Sequence, residues 1–183
     1  MRLRLLLAVV LALASTVLLI TSASADSDTQ TYQLHLEVPN VARAPSGDQV
    51  TVTGGGTFSV HPKSVTASGT FTHTDSQGNV LGTGTWTATD LLSFQLYGCG
   101  VVHLPSGDVP LPDNACGGAL MLRVLLTAGS MQREGILSVF CIVGPNPPNS
   151  HDDPTGEGIH LDVPGVINFN KIVAGMNIYI RTS

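Results

Sequence analysis

The sequence predicts an all-β fold, a single-domain antiparallel β-sandwich or closed β-barrel of about nine or ten short strands. Three observations lead there. Apolar and polar residues alternate with period two over much of the chain. Clusters of Gly, Pro, Asn, Asp and Ser separate those runs at strand-and-turn spacing. Only 11% of the 183 residues are charged, too few for a disordered, solvating chain of that length.

The N-terminus stands apart. Arg2 and Arg4 precede an uncharged, mostly apolar run from Leu5 to Ile20, followed by Ala23-Ser24-Ala25. A basic start, an apolar stretch and small residues before a cleavage point mark residues 1–25 as a secretory signal peptide, cut before Asp26. The apolar run is shorter than the roughly 20 residues of a spanning helix, and position 26 is not a cysteine that a lipid would modify. The expected product is one exported domain, 26–183, that does not span a membrane. Losing two arginines leaves six basic against thirteen acidic residues. That balance opposes nucleic-acid binding, which needs clustered Lys and Arg.

Within this domain Tyr32, Leu34, Leu36 and Val38 fall on one strand face and Gln33, His35 and Glu37 on the other. Pro39 to Asp48 reads as a loop ending in the turn Pro45-Ser46-Gly47-Asp48. A meander follows, with strands near 49–60, 64–74 and 79–89 and a hairpin loop at Asp75-Ser76-Gln77-Gly78-Asn79. Gly56-Thr57-Phe58, Gly69-Thr70-Phe71 and Gly84-Thr85-Trp86 recur once per strand and turn, a far shorter period than solenoid repeats.

Beyond Asp90 the strands near 91–102, 118–127 and 134–143 are more continuously apolar, as suits strands covered on both sides. Ala119 to Ala128 is rich in helix formers. Flanking glycines and the alternation of Leu120, Leu122, Val124 and Leu126 make it a strand. Pro145 to Gly158 reads as a polar loop, and short strands near 159–163, 166–169 and 176–182 close the chain.

The most informative feature is a hydroxyl face. Alternate residues of the meander are mostly Thr or Ser, including Thr70, Thr72, Thr74, Thr83, Thr85, Thr87 and Thr89. The intervening positions include Val, Ala, Phe, Trp and Gly, with the glycines expected to relieve crowding beside the aromatics. A solvated sheet face is the plain reading, since Thr is a strand former that tolerates water. A polysaccharide or a cell surface is the partner such a face fits. The Thr-x-Thr arrays also resemble the hydroxyl ladders of ice-binding proteins over these three strands, although such ladders need a flat sheet and a meander twists.

Three cysteines in an exported chain imply one disulfide and one odd thiol, or an intermolecular bridge. A hairpin turning at Gly129-Ser130 sets position 118 opposite Cys141. A connection centred on Gly107-Asp108 sets Cys99 opposite Cys116. The three sulfurs then cluster. A zinc site from these cysteines and His103 has suitable ligand types but lacks CxxC spacing.

No nucleophile elbow, HExxH, P-loop, GxGxxG or EF-hand loop occurs, and no cofactor is expected. His151, Asp152, Asp153, Glu157 and His160 offer metal-ligand types in one loop, which equally fits a solvated turn. The i,i+2 pairs His35–Glu37 and His73–Asp75 are the nearest approach to acid–base chemistry. If the strands close into a barrel, its mouth has room for a small apolar ligand. The sequence favours a secreted, non-enzymatic binding or structural module. The alternative is a cofactor-free small-ligand barrel, either an isomerase- or cyclase-like enzyme or a lipid-type binder.

Overall fold

The computed structural model describes residues 29–104, 106–147 and 156–183. The expected signal peptide lies outside these residues. All regular structure described is β: β1 (Thr31–Leu36), β2 (Asn40–Arg43), β3 (Gln49–Ser59), β4 (Ser64–Thr74), β5 (Val80–Cys99), β6 (Val101–Leu104), β7 (Gly107–Pro110), β8 (Ala115–Ala128), β9 (Met131–Cys141), β10 (Gly158–Val163), β11 (Ile167–Phe169), β12 (Lys171–Ala174) and β13 (Asn177–Arg181). Among the described residues no helix is long and apolar enough to cross a membrane.

Six strands pair in a closed antiparallel ring: β1 with β3, β3 with β4, β4 with β5, β5 with β8, β8 with β13, and β13 back to β1. Two long strands make the ring open out at one end. The edge of β3 pairs with β1 along Gly55–Ser59 and with β2 along Gln49–Val52. The edge of β8 pairs with β13 at Ala115–Cys116 and with β9 along Gly118–Ala128. The wall therefore divides, with β2 and β12 on one side and β9, β10 and β11 on the other.

Inward positions follow period two and fill the ring. Its closed end holds a cluster of Tyr32, Phe58, Phe94 and Tyr179, with ring centroids 4.8–5.8 Å apart. Trp86 lies across the middle, and its indole N–H donates to the Thr53 carbonyl at 2.9 Å, satisfying the one polar group it buries. Gly69 sits beneath that ring, where a Cβ would stand 2.6 Å from the indole nitrogen. A Cβ at Gly84 would stand 2.8 Å from the Phe71 ring. Both glycines make room for a neighbouring aromatic, as their place on the apolar face predicts.

Several boundaries differ from the sequence reading. The strands expected at 79–89 and 91–102 are one strand, β5, which absorbs Asp90 by shifts of register at Ala88/Asp90, Leu91/Ser93 and Leu96/Gly98. The region after Cys99 folds instead as the small β6–β7 hairpin. The stretch 39–48, read as a loop, contains β2. Its Asn40 is buried and exchanges amide hydrogen bonds with Asn177, at 2.9 and 3.1 Å. A polar side chain with a buried partner leaves no apolar alternation to read.

The open end of the barrel as the candidate functional site

At the divided end the inward positions run on past the packed core. Val50 continues the face of Val52, His73 that of Phe71 and Ala67, and Gly82 that of Gly84 and Trp86. Arg133 continues the face of Gly135, Leu137 and Val139, and Val163 that of Leu161. Together with Leu81, Leu126, Ala128, Met131, Val166, Ile167 and Phe169 they enclose an open cavity of about 330 Å³. Deeper in, the space among Val52, Trp86, Val124 and Leu137 has no room for water. Around the mouth Leu81 is 58% exposed, Met131 63% and Val166 64%. Large apolar side chains gathered around a concave opening form a surface suited to being covered by a ligand or another apolar surface.

Among the lining residues only His73 and Arg133 are basic or acidic. His73 Nε2 lies 3.3 Å from the Asp48 carboxylate, and its ring meets Phe169 edge-on at 5.3 Å. With Nε2 protonated, the ring donates to Asp48 and Nδ1 remains the acceptor. Asp48 is delivered by the predicted turn, in which the Gly47 amide donates to the Ala44 carbonyl and the Ala44 amide to that of Asp48. The β3–β4 register, with Val50 opposite His73, brings the turn alongside the ring.

Asp75, the i,i+2 neighbour of His73, is not its partner. Asp75 accepts hydrogen bonds from the Gln77 and Asn79 amides and the Asn79 side chain. The Asn79 contacts in particular hold its carboxyl below the usual carboxylate range. The other pair, His35–Glu37, also goes unmade: the His35 ring lies 3.4 Å from the Gln33 side chain. Arg133 donates to the Gln132 carbonyl at 2.9 Å, and no carboxylate among the described residues makes an ion pair with it. Its neighbour Glu134 points to the other face and lies 4.0 Å from Arg123.

The hydroxyl face lies on the outside of the barrel. Thr53, Thr70, Thr85 and Thr127 stand in register across four strands, and Thr51, Thr72 and Thr83 form a second rank. Thr87 stands opposite Ser68. The Thr53 and Thr70 hydroxyls bond each other at 2.8 Å. Thr74 pairs with Val80 beyond a register shift, and Thr89 donates to the Arg123 carbonyl at 3.3 Å. Because β3, β4 and β5 are half of a closed ring, the face wraps around the barrel and lacks the flatness of an ice-binding ladder.

Cys99 and Cys116 are disulfide-bonded across paired strands, and Cys141 stands opposite Gly118, so both expected registers hold. The Cys141 thiol is buried and faces the Cys116 carbonyl at 3.8 Å. Burial, with the Glu157 carboxylate adding to it, pushes its pKa well above the usual thiol range, so it carries no reactive thiolate. The disulfide also removes two of the sulfurs a zinc site would need.

His151, Asp152 and Asp153 lie outside the described residues. Glu157 turns to the buried Cys141 and to the Ile142 amide at 3.3 Å, and burial raises its carboxyl. His160 packs on the Phe140 ring at 5.0 Å. Among the described residues no three His, Cys, Asp or Glu side chains converge as a metal site.

Sequence reasoning placed neither Arg133 nor the His73–Asp48 pair in a site. The available signal was polar residues in core-facing register beside turns. No protein family, curated protein or solved structure matches this chain.

Proposed function

We propose that this chain is an exported β-barrel that binds a small, largely apolar molecule in its open end, without a cofactor. The observation that carries the reading is the cavity of about 330 Å³, apolar in every wall except at His73 and Arg133. That size lies at the lower end of the roughly 300–1,000 Å³ typical of ligand pockets. The filled interior below it favours the mouth over the barrel centre as the binding region. Titration with a neutral naphthylamine fluorophore tests the proposal. Saturable enhancement that decan-1-ol displaces supports it, and an absence of saturable binding refutes it. Sequencing the N-terminus of protein released by an exporting host tests the export half, with Asp26 as the expected first residue.

The in-register hydroxyls of Thr53, Thr70, Thr85 and Thr127 favour a second reading, contact of the outer face with a polysaccharide or cell surface. Co-sedimentation with insoluble polysaccharides tests it, and the barrel-mouth variants described below leave it unaffected.

A further inference from the structure

Resting on the barrel-mouth reading, we infer that the ligand is an acid: an amphiphile with one carboxylate, its tail in the cavity and its head at Arg133. The cavity has an apolar floor and a basic rim. Arg133 occupies a core-facing register position on β9, in line with Gly135 and Leu137, yet lies past the packed core. A guanidinium there lines the mouth while its end stays in water. It lacks a carboxylate partner among the described residues, and Glu134, next to it in sequence, is turned toward Arg123.

On the opposite wall His73 is the other polar group, and its partner Asp48 is not among the lining residues. The Asp48 carboxylate is therefore turned to the imidazole rather than to the cavity. What faces a ligand head is a planar guanidinium whose Nη1 donates to the Gln132 carbonyl and whose remaining donors suit a carboxylate. A cationic head would meet Arg133 with like charge, and a neutral one would leave the fork to water.

Size narrows the class. About 330 Å³ corresponds to about eleven water volumes of about 30 Å³. That suits a tail of medium length, and the exposed Leu81, Met131 and Val166 extend the apolar surface outward.

The test compares decanoate with decan-1-ol, which share a tail, on the full exported chain by calorimetry and fluorophore displacement. The wild-type protein is expected to prefer decanoate about tenfold, equivalent to about 1.4 kcal/mol. That preference shrinks with added salt, because the pair is solvent-accessible. Arg133→Gln abolishes the preference, so that decanoate and decan-1-ol bind alike, whereas Arg133→Lys keeps part of it. Equal binding of acid and alcohol by the wild type overturns the inference and leaves the pocket reading standing. So does an Arg133→Gln variant that loses both ligands equally. Binding of neither ligand overturns both readings.

Discussion

Replacing Gly82 with phenylalanine puts a ring into the barrel mouth from a position where the backbone leaves it room. Gly82 lines the cavity, its φ lies outside the left-handed region, and a Cβ built on it meets nothing within 4 Å. The cavity of about 330 Å³ equals about eleven water volumes, of which a seven-carbon benzyl group takes roughly four. The ligand then loses room for about five methylenes, each contributing about 0.8 kcal/mol on burial. The loss is about 4 kcal/mol, near a thousandfold in Kd. Movement of the exposed Leu81 and Met131 side chains recovers some of it, so at least about a hundredfold weakening is expected. Stability should hold or rise, since a strand gains from exchanging Gly for an aromatic residue. Fluorophore displacement gives the affinity and thermal unfolding gives the stability. A folded Gly82→Phe variant that binds decan-1-ol as well as the wild type refutes the assignment of the mouth as the site.

Other consequences follow from the packing. Gly84→Ala, two residues along the same face, drives a methyl into the Phe71 ring and the Thr127 carbonyl. It should cost roughly 1–3 kcal/mol by overpacking, read as a lower denaturation midpoint at unchanged slope. Asn177→Leu removes both hydrogen bonds between the buried Asn40 and Asn177 amides, leaving the Asn40 side chain only its bond to the Val38 carbonyl, and should cost roughly 1–3 kcal/mol in the same assay. Cys141 should resist iodoacetamide in the native protein and react once denatured, because its thiol is buried and held protonated. Tyr32, Tyr97 and Tyr179 all have pKa values raised above 10.0, chiefly by burial. Raised folded values mean that this stability is intact below pH 10.0 and lost as the pH climbs through them. Ultraviolet titration should therefore show the phenols ionising late and together with unfolding.

Most of the barrel wall is legible in the sequence because alternation and turn residues act locally. Leu120, Leu122, Val124 and Leu126 point inward in β8 as their spacing implies. The Cys99–Cys116 and Gly118–Cys141 registers follow from where the turns lie. What was illegible depends on distant partners. Asn40 looks like a loop residue until Asn177 joins it. Asp90 looks like a strand end until register shifts in β5 carry the chain past it. His73 has Asp75 two residues away in sequence, but the hairpin turn claims that carboxylate, and the β3–β4 register supplies Asp48 instead. Closure of the ring, which turns inward positions into a cavity at one end, is a long-range pairing between β1 and β13. Local pattern does not encode it.

The claim that this barrel binds its ligand at the open end is tested most directly by amide chemical-shift mapping of the isotope-labelled protein during titration with decanoate. Saturable shifts confined to Val50, His73, Gly82, Arg133, Val163 and Phe169 are expected, with the outer threonine ranks unmoved. Shifts centred on Thr53, Thr70 and Thr85, or an unchanged spectrum at saturating decanoate, would contradict it.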